Sequence, residues 1–355
     1  MTVNIITEPE YENTVWCKET LCGLLKKAAH LRYKRNFLTE DKINENIDIL
    51  VIIGTSPVWV SAVIKKASAY DIRCIVVNCQ PMQTAQNASY VLIDHNLATK
   101  EALKYLKSCG REKCALYAVN LNSYADTVKA GYFKKEDIFI NSGKTGMEDC
   151  FGKFIKKAEN YDAVICTNYI SAIYLMHRLK ETKFKVPGNL YVLTYGESVL
   201  GKIFKPSLTT ITLKHELLGG WAVDLCRMLS LSAEAVSITV NIPCKIISAQ
   251  STDNILYKEN EDFGELKPDL DNVFALDLNI HEIQALEKLL RICDETDLKM
   301  LNRICKKSSY AEIAEELFMS ESSVKYKIKR LLGASGMESI KKLTDLVKNY
   351  LSCEF

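Results

Sequence analysis

The chain has 355 residues, 48% of them hydrophobic and 25% charged, with a net charge of +2 at neutral pH. That balance is ordinary for packed globular domains and excludes a disordered or collagen-like chain. It also leaves no chain-wide positive field, so any contact with nucleic acid has to gather its cations locally.

The 13 cysteines are scattered and mostly lie inside apolar runs, as Cys74, Cys166 and Cys226 do. They read as small core residues of a reducing compartment. Cys109 and Cys114 have no second pair and no nearby His, which makes a poor metal site. The opening MTVNIITEPEYENTVW has no basic segment followed by a long apolar core. No stretch approaches the roughly 18 apolar residues of a membrane span. The expectation is a cytoplasmic protein with no membrane contact.

Residues 1 to 250 alternate short β-branched runs with amphipathic helices. Strands are expected at 3–6, 47–53, 74–78 and 90–94, with helices at 16–31 and 58–70. After Gly110 the alternation resumes: strands at 114–119, 138–140, 163–166 and 190–193, helices at 125–132, 147–159 and 168–180. Strand and helix in alternation imply parallel sheets covered on both faces, and two such units imply two lobes. Ligands of open parallel sheets bind beyond the C-terminal strand ends. Here those are the loops after Ile53, Asn78, Ile93, Val119, Cys166 and Leu193.

Several stretches carry more specific information. They are Asp48 to Gly54, Asp71 to Asn78, Tyr90 to Asp94, Leu106 to Lys113, Ala163 to Asn168 with Ala172, and Val186 to Leu190. The most specific is Pro206-Ser207-Leu208-Thr209-Thr210-Ile211 with Leu218-Gly219 and Ala222, followed by Ile242 to Ile247 and Ser251-Thr252. With these residues, positions 3 to about 252 resemble the effector-binding core of the lactose/galactose-repressor family, a type I periplasmic-binding-protein fold of two lobes joined by three crossing segments. The resemblance implies lobe 1 at about 1–111 and 213–235 and lobe 2 at about 112–212 and 236–252. It also implies an effector cleft touching Thr55, Ser56, Asp94, His95, Asn168, Tyr169, Tyr195 and Glu197.

Departures from the family bear on what is sensed. The Asp expected after Asn168 is Tyr169, the Arg of the R-x-x-G-F pattern is Val128, and the Asp of the turn after 190–193 is Gly196. These losses argue against a simple pentose or hexose, since buried sugar hydroxyls need polar partners. Two tyrosines in their place suggest a flatter, more apolar effector or a cleft closed without one. Asp94 and Asn168 equally suit the role of helix caps.

Other motifs fail. Gly143-Lys144-Thr145 lacks the glycine that a phosphate loop needs five residues earlier, and His281-Glu282 lacks a second His, Ala285 standing there instead. No nucleophile is paired with a base at a recognisable spacing, so neither an enzyme nor a cofactor is expected.

Residues 253–271 are acidic, polar and broken by Gly264 and Pro268, the composition of a linker, which is expected over 253–279. The helix from Ile280 to Cys293 carries a wide apolar stripe that either buttresses the unit beyond it or pairs with its copy. Beyond it, Ser309 and Glu312 form a capping-box pair before Ile313, Ala314 and Leu317, and Ser320 starts a second helix. Val324, Ile328 and Leu331 face inward, and Lys325, Tyr326, Lys329 and Arg330 lie opposite, with Lys327 beside them. Ala314 is small where two steeply crossing helices would touch.

Flanked by helices at about 297–307 and 339–351, this unit resembles the LuxR-type (GerE-like) DNA-binding domain. The matching residues are Glu312-Ile313-Ala314, Leu317, Ser320, Ser323-Val324-Lys325 and Leu331-Leu332. It departs at Lys327, where a His is usual, and at Phe318-Met319, a turn without Gly.

The expected fold class is thus α/β, a two-lobed core with parallel sheets over 1–252. A small all-α domain follows over 280–355, with its helix-turn-helix at 309–332. The resemblances imply a homodimeric transcription regulator controlled by a small-molecule effector. Ser322, Ser323, Lys325, Tyr326, Lys327, Lys329 and Arg330 would then meet double-stranded DNA. A signalling adaptor whose C-terminal helices grip a protein stands beside this reading, as does, further off, a solute-binding protein.

Overall fold

The computed structural model describes residues 1–81, 88–121, 123–142, 146–231, 236–252 and 280–351. The linker expected at 253–279 and Gly143-Lys144-Thr145 lie outside the described residues.

Two six-stranded sheets form the core. The first contains β1 (Thr2–Thr7), β2 (Lys34–Phe37), β3 (Ile49–Ile53), β4 (Arg73–Val77), β5 (Ser89–Ile93) and β11 (Thr239–Ile242), in the order β11-β5-β4-β3-β1-β2. All its pairings are parallel. The second contains β6 (Cys114–Val119), β7 (Ile138–Ile140), β8 (Ala163–Cys166), β9 (Tyr191–Tyr195), β10 (Thr209–Ile211) and β12 (Ile246–Ile247), in the order β12-β10-β9-β8-β6-β7. It is parallel except for β12, which runs antiparallel to β10. Strand β3, ILVII, is buried at every position, as a central strand covered on both faces requires.

Helices α1 (Val15–His30), α2 (Pro57–Ser68) and α8 (His215–Leu231) cover the first sheet. Helices α3 (His95–Ser108), α4 (Tyr124–Ala130), α5 (Gly146–Ile155), α6 (Tyr169–Leu179) and α7 (Val199–Ile203) belong to the second. Helices α1 and α8 cross at backbone contact: a Cβ on Gly219 would lie 1.8 Å from the Thr20 carbonyl oxygen, and one on Gly23 would lie 1.9 Å from that of Glu216.

The chain crosses between lobes three times, and two of the sequence-derived boundaries need correction. Helix α3, expected in lobe 1, packs Ala98, Ala102 and Leu106 with Leu116, Ile165 and Leu193 of the second sheet. Residues 236–242, expected in lobe 2, add β11 to the first sheet beside β5. In each case the apolar side chains find their partners across the hinge.

Residues 280–351 hold five helices: α9 (His281–Arg291), α10 (Glu295–Cys305), α11 (Tyr310–Glu316), α12 (Glu321–Ser335) and α13 (Ile340–Tyr350). No helix among the described residues is long and apolar enough to cross a membrane. The stripe of α9, with Ile283, Leu286, Leu289 and Leu290 buried, serves as a buttress. It belongs to one continuous apolar cluster that joins the C-terminal helices to Tyr174, Leu179, Leu200 and Phe204 of lobe 2. Each such buried side chain contributes about 1.5–3 kcal/mol, enough to seat the helical unit on the core. Across the same seam the His177 and Tyr350 rings are 4.5 Å apart, and within the helical unit Asn349 Nδ2 donates to Glu282 Oε2 at 3.2 Å.

Candidate functional site

Two sites emerge, a cleft between the lobes and the exposed head of α12. The cleft is a cavity of about 250 Å³ built mainly from the loops after the C-terminal strand ends. Thr55 follows β3, Asn78 β4, His95 β5, Asn120 β6, Thr167 and Asn168 β8, and Gly196 and Glu197 β9. Tyr11, Trp16 and Glu19, at the head of α1, and His215, at the head of α8, close it from lobe 1. Its position beyond parallel strands follows the general rule for such sheets.

Of the residues expected here, Thr55, His95, Asn168, Tyr169, Tyr195 and Glu197 line the cavity, whereas Ser56 and Asp94 are not among its lining residues. Asp94 caps α3, its carboxylate accepting the Leu97 amide at 2.8 Å, and Asn168 caps α6 by accepting the Ser171 amide at 3.0 Å. Glu8 Oε2 accepts the amides of Thr55 and Ser56 at 2.9 and 3.1 Å and so fixes that loop. Tyr195 donates to or accepts from Thr99 Oγ1 at 2.7 Å.

The cation in the cleft is not among the residues expected there. The position where the family pattern has Arg is Val128, but its neighbour Lys129 projects inward instead. Its ammonium is 2.8 Å from Asp126 Oδ1 and 4.2 Å from the Tyr195 ring centroid. Asp126 and Lys129 lie three residues apart on α4, hence on one face, which is the signal that would have found them. Burial, with Lys129 and His215 nearby, holds His95 well below the usual imidazole range, and burial brings His215 down to about 4. Both are therefore neutral imidazoles near pH 7, and neither Nδ1 has a hydrogen-bond partner. Burial raises Glu19 to about 7; Arg291 opposes that shift, while Glu216 and Glu197 add to it.

The second site depends on helix capping. Ser309 and Glu312 form the expected capping box, with bonds of 2.6 and 3.3 Å, and Ser320 Oγ accepts the Ser323 amide at 3.2 Å. Val324, Ile328 and Leu331 are buried, as is Ala314 at the helix crossing. Ser322, Ser323, Lys325, Tyr326 and Lys329 are exposed along one side of α12.

Lys327 and Arg330 behave differently from their neighbours. Lys327 Nζ lies 2.9 Å from Asp297 Oδ1 and 3.3 Å from Asp294 Oδ2, and Arg330 also pairs with Asp297, which is wholly buried. Hydrogen bonding to Asp297 raises Lys327 above the usual lysine range. These two cations fasten the back of α12 to the N-terminus of α10. Phe318 adopts a left-handed φ of 52° in the turn where a glycine would be usual, and its side chain is 97% exposed.

Comparison with known proteins accords with both parts. The core has the α/β two-sheet architecture of LacI-type regulators and is followed by an all-helical region. Residues 101–252 match a family model described as a periplasmic binding protein-like domain, and residues 294–333 match one described as winged helix-turn-helix DNA-binding. Among the described residues, 280–351 contain helices and no strand that would form a wing.

A curated relative, the HTH-type transcriptional repressor PurR of Histophilus somni (strain 2336), is 28% identical over 126 residues, 36% of this chain and 35% of its own. The chain thus spans about a third of the length of that relative. The transcription regulator CcpA of Lactococcus lactis superposes with a TM-score of 0.58 at 17% identity, over 71% of this chain and 100% of that one. The lac repressor dimer bound to operator and the anti-inducer ONPF gives 0.59 at 14% identity, over 71% and 81%.

Proposed function

We propose that the chain is a DNA-binding transcription regulator in which a small-molecule effector, bound in the interlobe cleft, controls a C-terminal helix-turn-helix of the LuxR type. The observation that carries this reading is the exposed face of α12. Ser322, Ser323, Lys325, Tyr326 and Lys329 stand outward from a capped helix-turn-helix seated on a two-lobed core with a ligand-sized cavity. Serine hydroxyls and backbone amides at a helix head suit phosphate, while lysines and a tyrosine along the same face suit phosphate and base edges. Lys327 and Arg330 support the reading from behind, because they fix the angle at which the helix is presented.

The helix-turn-helix match over 294–333 and the PurR relatives support DNA as the partner, and their class supports a dimer with two recognition helices. The pattern Glu312-Ile313-Ala314 through Leu332 supports the LuxR type, as does a further helix, α13, where a wing would otherwise follow.

The test is selection of bound fragments from the source genome at about 50 and 200 mM salt, a range over which phosphate contacts weaken steeply. Recovery of a discrete, roughly palindromic site that the Lys325→Ala/Lys329→Ala variant loses is the expected result. No enrichment, with variant and parent alike, would favour a signalling adaptor whose exposed Phe318 and Tyr326 grip a protein.

A further inference from the structure

The C-terminal unit does more than sit on lobe 2. Helix α9 places a buried charge pair, Glu287 and Arg291, in the seam, with Arg291 Nε 2.7 Å from Glu287 Oε1 and both side chains 3% exposed or less. Burying two ions is costly unless their remaining bonding capacity is met, so the use made of each is informative. Glu287 accepts the amides of Val199 at 3.1 Å and Leu200 at 2.7 Å, the free N–H groups at the head of α7. Ser198, one residue earlier, caps the same helix through the Gly201 amide at 2.8 Å. The segment that leads into this helix is Tyr195-Gly196-Glu197, part of the cleft wall. Arg291, held by Glu287, also acts electrostatically on the cleft. Burial alone would lower it, but Glu287, Tyr169 and Glu19 together hold it above the usual arginine value. Tyr169 and Glu19 line the cleft, from lobe 2 and lobe 1 respectively.

We propose that Glu287 and Arg291 are positioning residues through which the helical unit is built into the sensing cleft. Glu287 holds the loop 196–198 by way of α7, and its buried partner Arg291 contributes to the charge felt by Tyr169 and Glu19 on the cleft wall. A ligand that moves Glu197, Tyr169 or the lobe bearing Glu19 then acts directly on α9, which packs against α12. The inference rests on the regulator reading for its purpose, but its first test does not need DNA.

Trp16 lies one turn from Glu19 on α1 and also lines the cleft, so its fluorescence reports the Glu19 charge once Trp59 and Trp221 are replaced by Phe in the full-length chain. The groups facing Glu19 are Arg291 from α9, Glu216 from α8 and Glu197 from the loop after β9. In the otherwise unaltered chain the Trp16 signal should titrate with a midpoint of about 7, and Glu19→Gln should abolish the transition. Arg291→Gln should move the midpoint upward by roughly half a pH unit or more, because a neighbouring cation favours the carboxylate. Arg291→Lys should restore it, and Arg291→Met, which keeps the apolar stem, is read if the Gln variant does not fold.

In a second arm, a duplex recovered by the genomic selection is added. It should change Trp16 quenching by iodide in the parent. Glu287→Gln should keep the DNA affinity within about threefold while losing that response, as coupling without contact requires. A midpoint unmoved by loss of the Arg291 charge, or a DNA response that survives Glu287→Gln, overturns the proposal. Failure to bind any duplex with an intact Arg291 effect overturns the regulator reading and leaves the built-in cleft residues standing.

Discussion

Lys327 and Lys329 stand two residues apart on one helix, yet truncating them should do different things. Lys327 is 20% exposed and bonds to Asp297, a carboxylate with no exposure at all. A hydrogen bond to a charged group is worth about 1.5–3 kcal/mol, and leaving a buried charge short of a partner costs more. Arg330 still pairs with Asp297 after the loss, and water reaches part of the vacated position, so Lys327→Ala should cost about 1–2 kcal/mol of unfolding free energy. Lys329 is exposed and no ion pair is described for it, so Lys329→Ala should leave stability within about 0.5 kcal/mol. Urea unfolding measures both effects. DNA binding should show the opposite pattern. Each lost phosphate contact lowers the slope of log K against log salt by about 0.9, a change expected for Lys329→Ala and not for Lys327→Ala. If Lys327→Ala flattens the salt slope while unfolding stays unchanged, the inward pairing does not operate in solution and the division of α12 into two faces is wrong.

Two further outcomes follow from strain and from titration. Phe318→Gly should stabilise the helical unit by about 1 kcal/mol, because the left-handed φ of 52° burdens any L side chain and a ring 97% exposed returns no burial; thermal melting checks it, and a lowered melting point refutes it. His215, depressed from 6.5 to about 4, contributes stability that is complete above the usual imidazole value and is lost as pH falls through 4, so parent stability should decline over that interval and His215→Asn should lessen the decline. Glu19, raised from 4.5 to about 7, runs the other way, its contribution fading as pH rises through 7, so only the difference between parent and variant, read by urea titration at each pH, isolates the histidine. Superimposable curves would mean that His215 is not buried as neutral imidazole.

Strands such as β3 and β4 were legible because burial on both faces demands continuous apolar runs, and the helix starts were legible because caps use few residue types. Strand β2, KRNF, was not. It is an exposed edge strand paired only with β1, and its backbone register leaves no mark on side-chain pattern. The lobe assignment of α3 and β11 failed for a related reason. Chain order cannot show which sheet a segment packs on once the chain has crossed the hinge. In the cleft, the family pattern directed attention to Val128, whereas the helical period carries Lys129 inward with Asp126. At α12 the cations were read as one basic face. Lys327 and Arg330, however, each immediately precede an apolar position, Ile328 and Leu331, and so flank the buried stripe. Their partner Asp297 is about thirty residues away in sequence, and only the capping pair Asp294 and Asp297 at the head of α10 hinted at an anion there.

If the chain is the regulator proposed, the seating of the helical unit constrains how regulation would work. An effector changes an equilibrium only by preferring one arrangement over another. Among the described residues, α9 shares its apolar core with lobe 2, and Glu287 fixes it to α7. An articulation of the two lobes would lie where the chain crosses between the sheets, near 93–95, 211–215 and 242–246. Lobe 2 and the recognition helix would then turn as one body against lobe 1. In a dimer held together through lobe 1, such a turn changes the distance between the two recognition helices, which must match half-sites about 34 Å apart. In a dimer held through lobe 2 or the helices, the same turn leaves that distance fixed and the cleft loses its lever on DNA. Cysteines introduced across lobe 1 should therefore cross-link without loss of effector control, whereas a cross-link that ties lobe 1 to lobe 2 within one chain should abolish control and preserve one DNA-binding state.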